Sequence, residues 1–150
     1  MTERVDFYVL DREDARQRMI VACRLAEKAY LRDLRAVLLA DTAGDAEALD
    51  ALLWTFADPS FVPHGLVVDG AAADPAAPVQ LTADAARAPA ADVLVNLCDR
   101  VPEGFERYAR IAEIVDAEPG RRERARARYK TYRDHSLVVE THRLHDGTEP

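Results

Sequence analysis

The order of apolar and helical segments at the start of the chain constrains the fold more than any other feature. Residues 5–10 form a short apolar run with two aromatic side chains, as expected of a buried strand. Residues 13–31 carry small or apolar side chains at three- and four-residue steps, which predicts a helix, and residues 35–40 predict a second strand. A strand, a helix and a strand in this order indicate a parallel βαβ unit, and therefore an α/β domain.

The middle of the chain continues this alternation. Residues 44–56 predict a second helix, because Leu side chains repeat along one of its faces. Residues 66–68 and 79–81 predict two short strands, and we expect the second of these to lie at an edge of the sheet. Residues 93–97 form the clearest apolar run, and we predict that they are a central strand.

The segments between these elements are dominated by turn-forming or polar residues. We expect a flexible connection at residues 70–78 and a loop at residues 84–91, while residues 105–116 suit either a strand or a helix. At 150 residues the chain predicts a single domain. We place this domain at residues 1–140 and a polar C-terminal tail at residues 141–150, where a Gly and a Pro occur near the end.

A parallel βα fold suggests a nucleotide-binding enzyme, but the sequence lacks the residues that bind phosphate. The six glycines include no Gly-x-Gly pair, and Asp11, Glu13 and Asp14 follow the first strand where a phosphate needs N–H groups and positive charge. Neither Ser60 nor Ser136 lies in a Gly-x-Ser-x-Gly motif. We therefore expect no catalytic residue, no metal and no cofactor. A small nucleotide-binding or hydrolytic enzyme remains the less favoured alternative.

One segment is strongly basic in an acidic protein. Residues 121–133 hold seven Arg or Lys and one Glu, a net charge of +6; the whole chain carries −7, so the remainder carries −13. The segment is rich in Arg and Ala and follows a Pro-Gly break, which predicts a helix. The acidic remainder argues against general nucleic-acid binding. Direct binding of single-stranded DNA by this helix would also need more stacking aromatic residues than it has.

Four cations and one tyrosine share one face of this predicted helix. At about 100° per residue, one arc of roughly 100° contains Arg122, Arg126, Tyr129, Lys130 and Arg133. Ala125 and Tyr132 lie on a neighbouring arc that we expect to face the core. Guanidinium groups bind carboxylates and a tyrosine ring offers a flat wall, so the face suits an acidic partner with an apolar or aromatic group. A solvated basic face is the alternative.

A second candidate surface lies where the predicted helix 44–56 ends. Trp54 projects away from the apolar face of that helix, and Phe61 follows in a loop between Pro59 and Pro63. The two prolines restrict the loop, so Phe61 is expected to be held rigidly beside Trp54. We interpret the pair as anchors for a protein partner, because aromatic residues dominate interface hot spots. The alternative is that Trp54 packs beneath the loop.

The remaining chemically distinctive side chains favour structural roles. His64 is expected to hydrogen-bond the backbone of its own loop. His142 and His145 have a spacing that can bind a metal on a helix, but a frayed polar tail is the favoured interpretation. Cys23 and Cys98 lie far apart and are expected to be reduced, buried thiols of a cytosolic protein. No apolar segment is long enough to predict a membrane span.

Several segments together resemble the chi subunit family of bacterial DNA polymerase III. The most specific are residues 126–133 (Arg-Ala-Arg-Tyr-Lys-Thr-Tyr-Arg) and residues 60–66 (Ser-Phe-Val-Pro-His-Gly-Leu), the latter preceded by Ala-Leu-Leu-Trp at 51–54. Residues 7–10 (Phe-Tyr-Val-Leu) and 92–97 (Asp-Val-Leu-Val-Asn-Leu) agree in order and spacing. The resemblance covers nearly the whole chain.

The resemblance implies a fold and a non-catalytic role. It implies a single-domain, three-layer α/β/α fold with a Rossmann-like, mostly parallel sheet, no nucleotide-binding motif, and a strand near residues 110–116. Chi is not an enzyme. It links the clamp loader, through the psi subunit, to the C-terminal tail of single-stranded DNA-binding protein, which is acidic and ends in an apolar Pro-Phe.

The resemblance also assigns partners to the two candidate surfaces. The basic face of the helix at residues 121–133 would bind the acidic tail, and Trp54 and Phe61 would belong to the surface that meets psi. Another clamp-loader component or a helicase is an alternative partner for that second surface. DNA would be contacted only indirectly, no membrane would be involved, and the protein would act in the bacterial cytoplasm at the nucleoid-associated replisome.

Overall fold

The computed structural model describes residues 1–57, 61–145 and 150, and these residues form three α-helices, a short 3-10 helix and eight strands. The helices are α1 (Ala15–Leu31), α2 (Ala43–Leu53) and α3 (Pro119–Asp134), and the 3-10 helix is Phe105–Arg107. The strands are β1 (Arg4–Leu10), β2 (Ala36–Leu39), β3 (His64–Val68), β4 (Ala71–Ala72), β5 (Val79–Thr82), β6 (Val93–Asn96), β7 (Arg110–Val115) and β8 (Val138–Leu144).

All the strands join one sheet in the order β4-β3-β5-β2-β6-β7-β1-β8. Every pairing is parallel except the β3–β4 hairpin. The predicted βαβ start is confirmed: β1 and β2 run parallel in the same sheet, with α1 crossing between them. The ambiguous segment 105–116 divides into the 3-10 helix and β7, so the expected strand near residues 110–116 is also confirmed.

The sheet separates two apolar cores, as a three-layer α/β/α fold requires. α1 and α2 cover one face, where their buried residues pack with β-strand residues such as Leu38, Leu81 and Val95. α3 covers the other face, where Ala125 and Tyr132 pack with residues such as Phe7. The predicted core face of α3 and the predicted fold class are therefore confirmed.

Each α-helix begins at an acidic or hydroxyl side chain that accepts a hydrogen bond from the first turn. Asp14 caps α1 by accepting from the N–H of Gln17, and Thr42 caps α2 by accepting from the N–H of Asp45. Glu118 caps α3 by accepting from the N–H groups of its first turn, directly before Pro119. Such caps satisfy N–H groups that have no partner within the helix, and they fix where each helix begins.

The edge position expected for residues 79–81 is wrong. β5 is an interior strand between β3 and β2, because the crossover through α2 carries β3 outward and leaves room for β5 to insert. All four β5 residues are buried accordingly. The expected flexible connection contains β4, which pairs with β3 across Asp69-Gly70. Both turn residues have positive φ, of 51° and 78°. Two-residue hairpin turns with this geometry favour the sequence Asp-Gly.

The expected polar tail at residues 141–150 begins too early, because residues 141–144 belong to β8. This strand pairs with β1 along its full length, from Arg4 opposite Val138 to Leu10 opposite Leu144. Its side chains are mostly polar because it lies at the edge of the sheet and buries few of them. Of the remaining tail, residues 146–149 lie outside the described part of the chain.

Cys23 and Cys98 are buried free thiols, as predicted. Burial raises the pKa of each thiol to about 12, so neither is a reactive thiolate. Within the described residues, no helix has the length and apolar character needed to cross a membrane.

Candidate protein-interaction sites

A groove of about 260 Å³ lies between α3 and the β1–β8 edge of the sheet. Its floor is apolar, formed by Phe7 and Val9 of β1 with Val115 of β7, while basic and aromatic side chains form its walls. The full lining is Phe7, Val9, Val115, Arg122, Ala125, Arg126, Tyr129, Thr141 and Arg143. An apolar floor with cationic walls matches the ligand chemistry expected from the sequence.

Three of the five residues predicted on the basic face line this groove: Arg122, Arg126 and Tyr129. Lys130 and Arg133 are exposed and are not among the lining residues. The Lys130 ammonium lies 3.1 Å from the Asp134 carboxylate, four residues further along α3. The structure therefore brings three of the predicted residues together and leaves two on the outer surface of the helix.

The two arginines of the groove have different surroundings. Arg122 donates to the carbonyl of Leu10 over 3.0 Å and to the carbonyl of Asp116 over 3.3 Å, which ties its guanidinium to the ends of two strands. Arg126 is exposed and, within the described part of the chain, its guanidinium has no hydrogen-bond or ion-pair partner. Its donors are therefore available to a ligand.

Tyr129 forms the aromatic wall of the groove. Its ring packs against Phe7 with centroids 5.4 Å apart and the planes tilted by 55°. Phe7 in turn contacts the buried ring of Tyr132, with centroids 6.1 Å apart. Because a core aromatic residue supports Tyr129, the wall has a fixed position before any ligand binds.

Arg128 is a core residue that the predicted core face of α3, Ala125 and Tyr132, did not include. Its guanidinium donates to Glu113 over 3.0 Å and to the carbonyl of Asp99 over 2.9 Å, and the residue is only 4% exposed. Tyr132 and Asn96 also donate to Glu113, over 2.7 and 2.9 Å. A signal was present in the sequence, since Arg128 follows Ala125 by three residues and precedes Tyr132 by four, which places it on the core face of α3.

Burial dominates the titration behaviour of this network. Burial raises the pKa of Glu113, while the Arg128 charge and the hydrogen bonds from Asn96 and Tyr132 act in the opposite direction. Burial also raises the pKa of Tyr132, and the negative charge of Glu113 adds to this effect. With three donors on its two oxygens, Glu113 is satisfied as a carboxylate and anchors α3 to β6 and β7.

Thr141 and Arg143 complete the groove from β8, and sequence reasoning missed both because it assigned them to a tail. Residues 139, 141 and 143 alternate with residues 138, 140 and 142, so the first set faces α3. The alternation could have been noticed only if the segment had first been recognised as a strand.

Trp54 and Phe61 form the second predicted surface, and both are largely exposed, at 58% and 61%. Their ring centroids are 5.8 Å apart. The alternative in which Trp54 packs beneath the loop is wrong, since most of the side chain faces solvent. Pro59, one of the two prolines expected to stiffen the loop, lies outside the described residues.

His64 supports this aromatic pair. Its ring centroid lies 4.7 Å from that of Trp54, and its side chain is 1% exposed. Nδ1 lies 2.6 Å from the carbonyl of Val62 and Nε2 lies 3.2 Å from the carbonyl of Asp50. The predicted hydrogen bond from His64 to its own loop is confirmed, and the buried imidazole holds Trp54 in place.

The two C-terminal histidines contact different carboxylates. His142 Nε2 lies 2.8 Å from Asp6 Oδ1, whereas His145 Nδ1 lies 3.2 Å from Asp11. Asp6, Glu140 and His142 bring possible metal-ligand atoms within 4.8 Å of one another. Arg4, however, donates to both acids, over 2.6 and 2.8 Å, and so already supplies the positive charge that they need.

Solved structures with a similar fold are distant in sequence. The C-terminal domain of the DEAD-box protein Dbp5 matches with a TM-score of 0.59 and 14% identity, covering 96% of this chain and 92% of that domain. A Saccharomyces cerevisiae Dbp5 variant bound to Nup159, a Gle1 variant, IP6 and ADP matches with a TM-score of 0.60 and 12% identity, covering 95% and 42% of the respective chains. At this level of identity the likeness concerns the fold alone.

Sequence comparison is far more specific. A family model described as "DNA polymerase III chi subunit, HolC" matches residues 1–140. DNA polymerase III subunit chi of Pseudomonas aeruginosa is 37% identical over 141 residues, covering 94% of this chain and 96% of that protein. The corresponding protein of Escherichia coli is 26% identical over 132 residues, covering 85% and 88%. The chain therefore belongs to the family of DNA polymerase III chi subunits, which are accessory subunits in DNA replication.

Proposed function

We propose that this protein is a non-catalytic adaptor that links the clamp loader to the acidic C-terminal tail of single-stranded DNA-binding protein during replication. One observation carries the proposal: Arg126 and Tyr129 line the same groove above an apolar floor. An acidic peptide that ends in Pro-Phe needs cations for its carboxylates and an apolar slot for its last side chain. The groove offers both within one turn of α3.

The terminal phenylalanine of the tail would enter the slot between Tyr129 and the floor residues Phe7 and Val9. Its terminal carboxylate would then lie near Arg126, whose donors are available among the described residues. Arg122 would contribute positive charge from a fixed position, because two backbone carbonyls already hold its guanidinium. Charge-assisted hydrogen bonds of this kind are each worth about 1.5–3 kcal/mol.

Lys130 and Arg133 would assist from outside the groove. They share the basic side of α3 but do not line the slot, so they would attract the acids of the tail through solvent. Such exposed attraction is screened by salt over about 8–10 Å. We therefore expect Lys130→Ala and Arg133→Ala to weaken binding less than Arg126→Ala, and mainly at low ionic strength.

The tail-binding role is tested by calorimetry with two synthetic peptides, one acidic and ending in Pro-Phe, the other lacking the final Phe. We expect measurable binding of the first peptide, weakened by salt, and at least a tenfold loss for the second, since both the ring and the position of the terminal carboxylate change. Equal binding of the two peptides would mean that only charge is recognised and would contradict the proposed slot.

The Trp54–Phe61 surface would bind a protein partner on the clamp-loader side of the replisome. Two large aromatic side chains, exposed and in contact with each other, are typical hot-spot residues of a protein interface. Trp54 packs on the buried, hydrogen-bonded His64, so its side chain loses less conformational freedom when a partner binds. The partner would be psi, another clamp-loader component or a helicase.

We expect Trp54→Ala and Phe61→Ala each to weaken binding of this partner by roughly 2 kcal/mol or more. Binding of the acidic tail should stay unchanged. Pull-downs with purified clamp-loader proteins and with the tail peptide separate the two surfaces, and Arg126→Ala serves as the reciprocal control. Loss of both partners in one variant would show that its fold, or a shared surface, is affected.

The enzymatic alternative gains no support from the position where related folds bind phosphate. There, the Asp14 carboxylate accepts from the N–H of Gln17, and the Asp116 carboxylate accepts from the N–H of Asp14. Two carboxylates therefore occupy the positive end of α1, which an anionic phosphate would need. We propose that the protein acts in the bacterial cytoplasm, at the replisome, without a cofactor or metal.

A further inference from the structure

Strand β8 contributes one wall of the tail-binding groove. Its parallel register with β1 places Thr141 beside Phe7 and Arg143 beside Val9. Phe7 and Val9 form the floor of the groove, and side chains paired in register project to the same face of a sheet. Arg143 therefore faces the groove from the side opposite α3.

The charges of β8 are segregated between its two faces. Glu140 and His142 project away from the groove, where Glu140 is 2.8 Å from Arg4 and His142 is 2.8 Å from Asp6. Arg143 is the one charged β8 residue on the groove face. It is exposed, and its guanidinium has no ion-pair or hydrogen-bond partner within the described part of the chain. An exposed cation above an apolar floor suits an acidic ligand with an apolar end.

We propose that Arg143 is a specificity-determining residue of the tail-binding groove, which contacts the acidic side chains of the peptide from the strand side while Arg126 contacts the peptide from the helix side. The inference rests on the proposed function of the groove. With Arg143 included, the site is a channel with a cation on each wall and no longer only one basic helix face. A channel of this kind holds an extended acidic peptide between α3 and β8 and selects against peptides that lack acids before their aromatic end.

The test compares Arg143→Ala with Arg133→Ala in calorimetric titrations with the synthetic acidic peptide ending in Pro-Phe. Both variants remove one exposed arginine and the same charge, but Arg133 does not line the groove. We expect Arg143→Ala to lose at least about fivefold in affinity and Arg133→Ala to lose much less. Arg143→Lys should recover part of the loss, because it restores the charge without the bidentate geometry.

A second peptide, with its acids replaced by Asn and Pro-Phe retained, shows whether Arg143 acts on the acidic side chains of the peptide or on the binding of its Pro-Phe end; the comparison with Arg133→Ala separates a local contact from general attraction. If Arg143 contacts these acids, this peptide binds the wild-type protein and Arg143→Ala nearly equally. Full affinity of Arg143→Ala for the acidic peptide, alongside a loss in Arg126→Ala, overturns the role of Arg143 and leaves the proposed function intact. Equal losses in Arg143→Ala and Arg133→Ala also overturn it. Failure of the wild-type protein to bind the acidic peptide overturns both proposals.

Discussion

Arg126 and Arg128 lie two residues apart on α3, yet their environments are opposite. Arg128 is buried against Glu113 and the carbonyl of Asp99, while Arg126 is exposed at the groove. A turn of about 100° per residue puts them on opposite sides of the helix, so the phase of the helix decides which arginine can reach a ligand. Residue type alone could not separate the two roles, but the spacing from Ala125 to Tyr132 could.

At the residue scale, we predict that Arg128→Ala destabilises the fold strongly. It leaves the Glu113 carboxylate buried without its cation, and breaking such a pair typically costs about 3–5 kcal/mol. Urea unfolding near pH 7 measures the loss. Arg133→Ala removes the same charge from an exposed position of the same helix and should change the unfolding free energy by less than about 0.5 kcal/mol.

The pH dependence of this variant identifies the cause. Removing Arg128 takes away a charge that lowers the pKa of Glu113, so the folded pKa rises further above the unfolded one. A group with a raised folded pKa contributes stability that is fully present at low pH and is lost as the pH rises through that value. The destabilisation should therefore be smaller near pH 5 than near pH 7. An equal or larger loss near pH 5 would contradict a buried ion pair as its origin.

Among the elements, β8 and β5 show where sequence patterns fall short. Four consecutive polar residues, Glu140–Arg143, resemble a tail, because an edge strand buries few side chains and needs no apolar alternation. The apolar pattern of β5 predicts a strand, but its place inside the sheet depends on where the α2 crossover carries β3, which the segment itself does not encode. Long elements with clear periodicity, such as α1 and α3, were predicted almost to their ends, because their local pattern and their packing agree.

The attachment of β8 to β1 should weaken in acid. Burial acts to raise the pKa of Asp6, but hydrogen bonds from Arg4 and His142 outweigh it and hold the pKa below the ordinary value of 3.8. A lowered folded pKa contributes stability that is present above the unfolded value and is lost as the pH falls through the folded one. The difference in unfolding free energy between the wild-type protein and Asp6→Asn should thus be constant near neutrality and shrink below about pH 4. A difference that persists or grows in strong acid would exclude this contribution.

At the scale of the whole molecule, the two candidate surfaces lie towards opposite ends of the sheet. His64, which supports Trp54, is on β3, while the groove is built on β1 and β8. β3 and β8 are six strand positions apart, which corresponds to roughly 29 Å at about 4.8 Å per strand. Substitutions at sites this far apart are expected to have additive effects on the binding free energies. This separation is what an adaptor with two simultaneous partners requires.

The single tryptophan of the chain offers a direct test of this independence. Trp54 is exposed in the free protein, so its emission should shift to shorter wavelength when a clamp-loader partner covers it. Saturation with the acidic tail peptide should leave the emission unchanged and should not alter the affinity for the clamp-loader partner. A spectral shift with the peptide, or competition between the two ligands, would mean that the surfaces overlap or are coupled.

The defined site on α3 is tested most directly by calorimetric affinities of the acidic, Pro-Phe-ending peptide for Arg126→Ala and Arg124→Ala. The two residues are on the same helix but project about 160° apart, and Arg124 lies 3.3 Å from the Asp99 carboxylate rather than in the groove. We predict that Arg126→Ala loses about tenfold or more in affinity and that Arg124→Ala stays close to the wild-type value. Equal losses would indicate diffuse electrostatic attraction, and unchanged binding in both variants would contradict the assignment of the site.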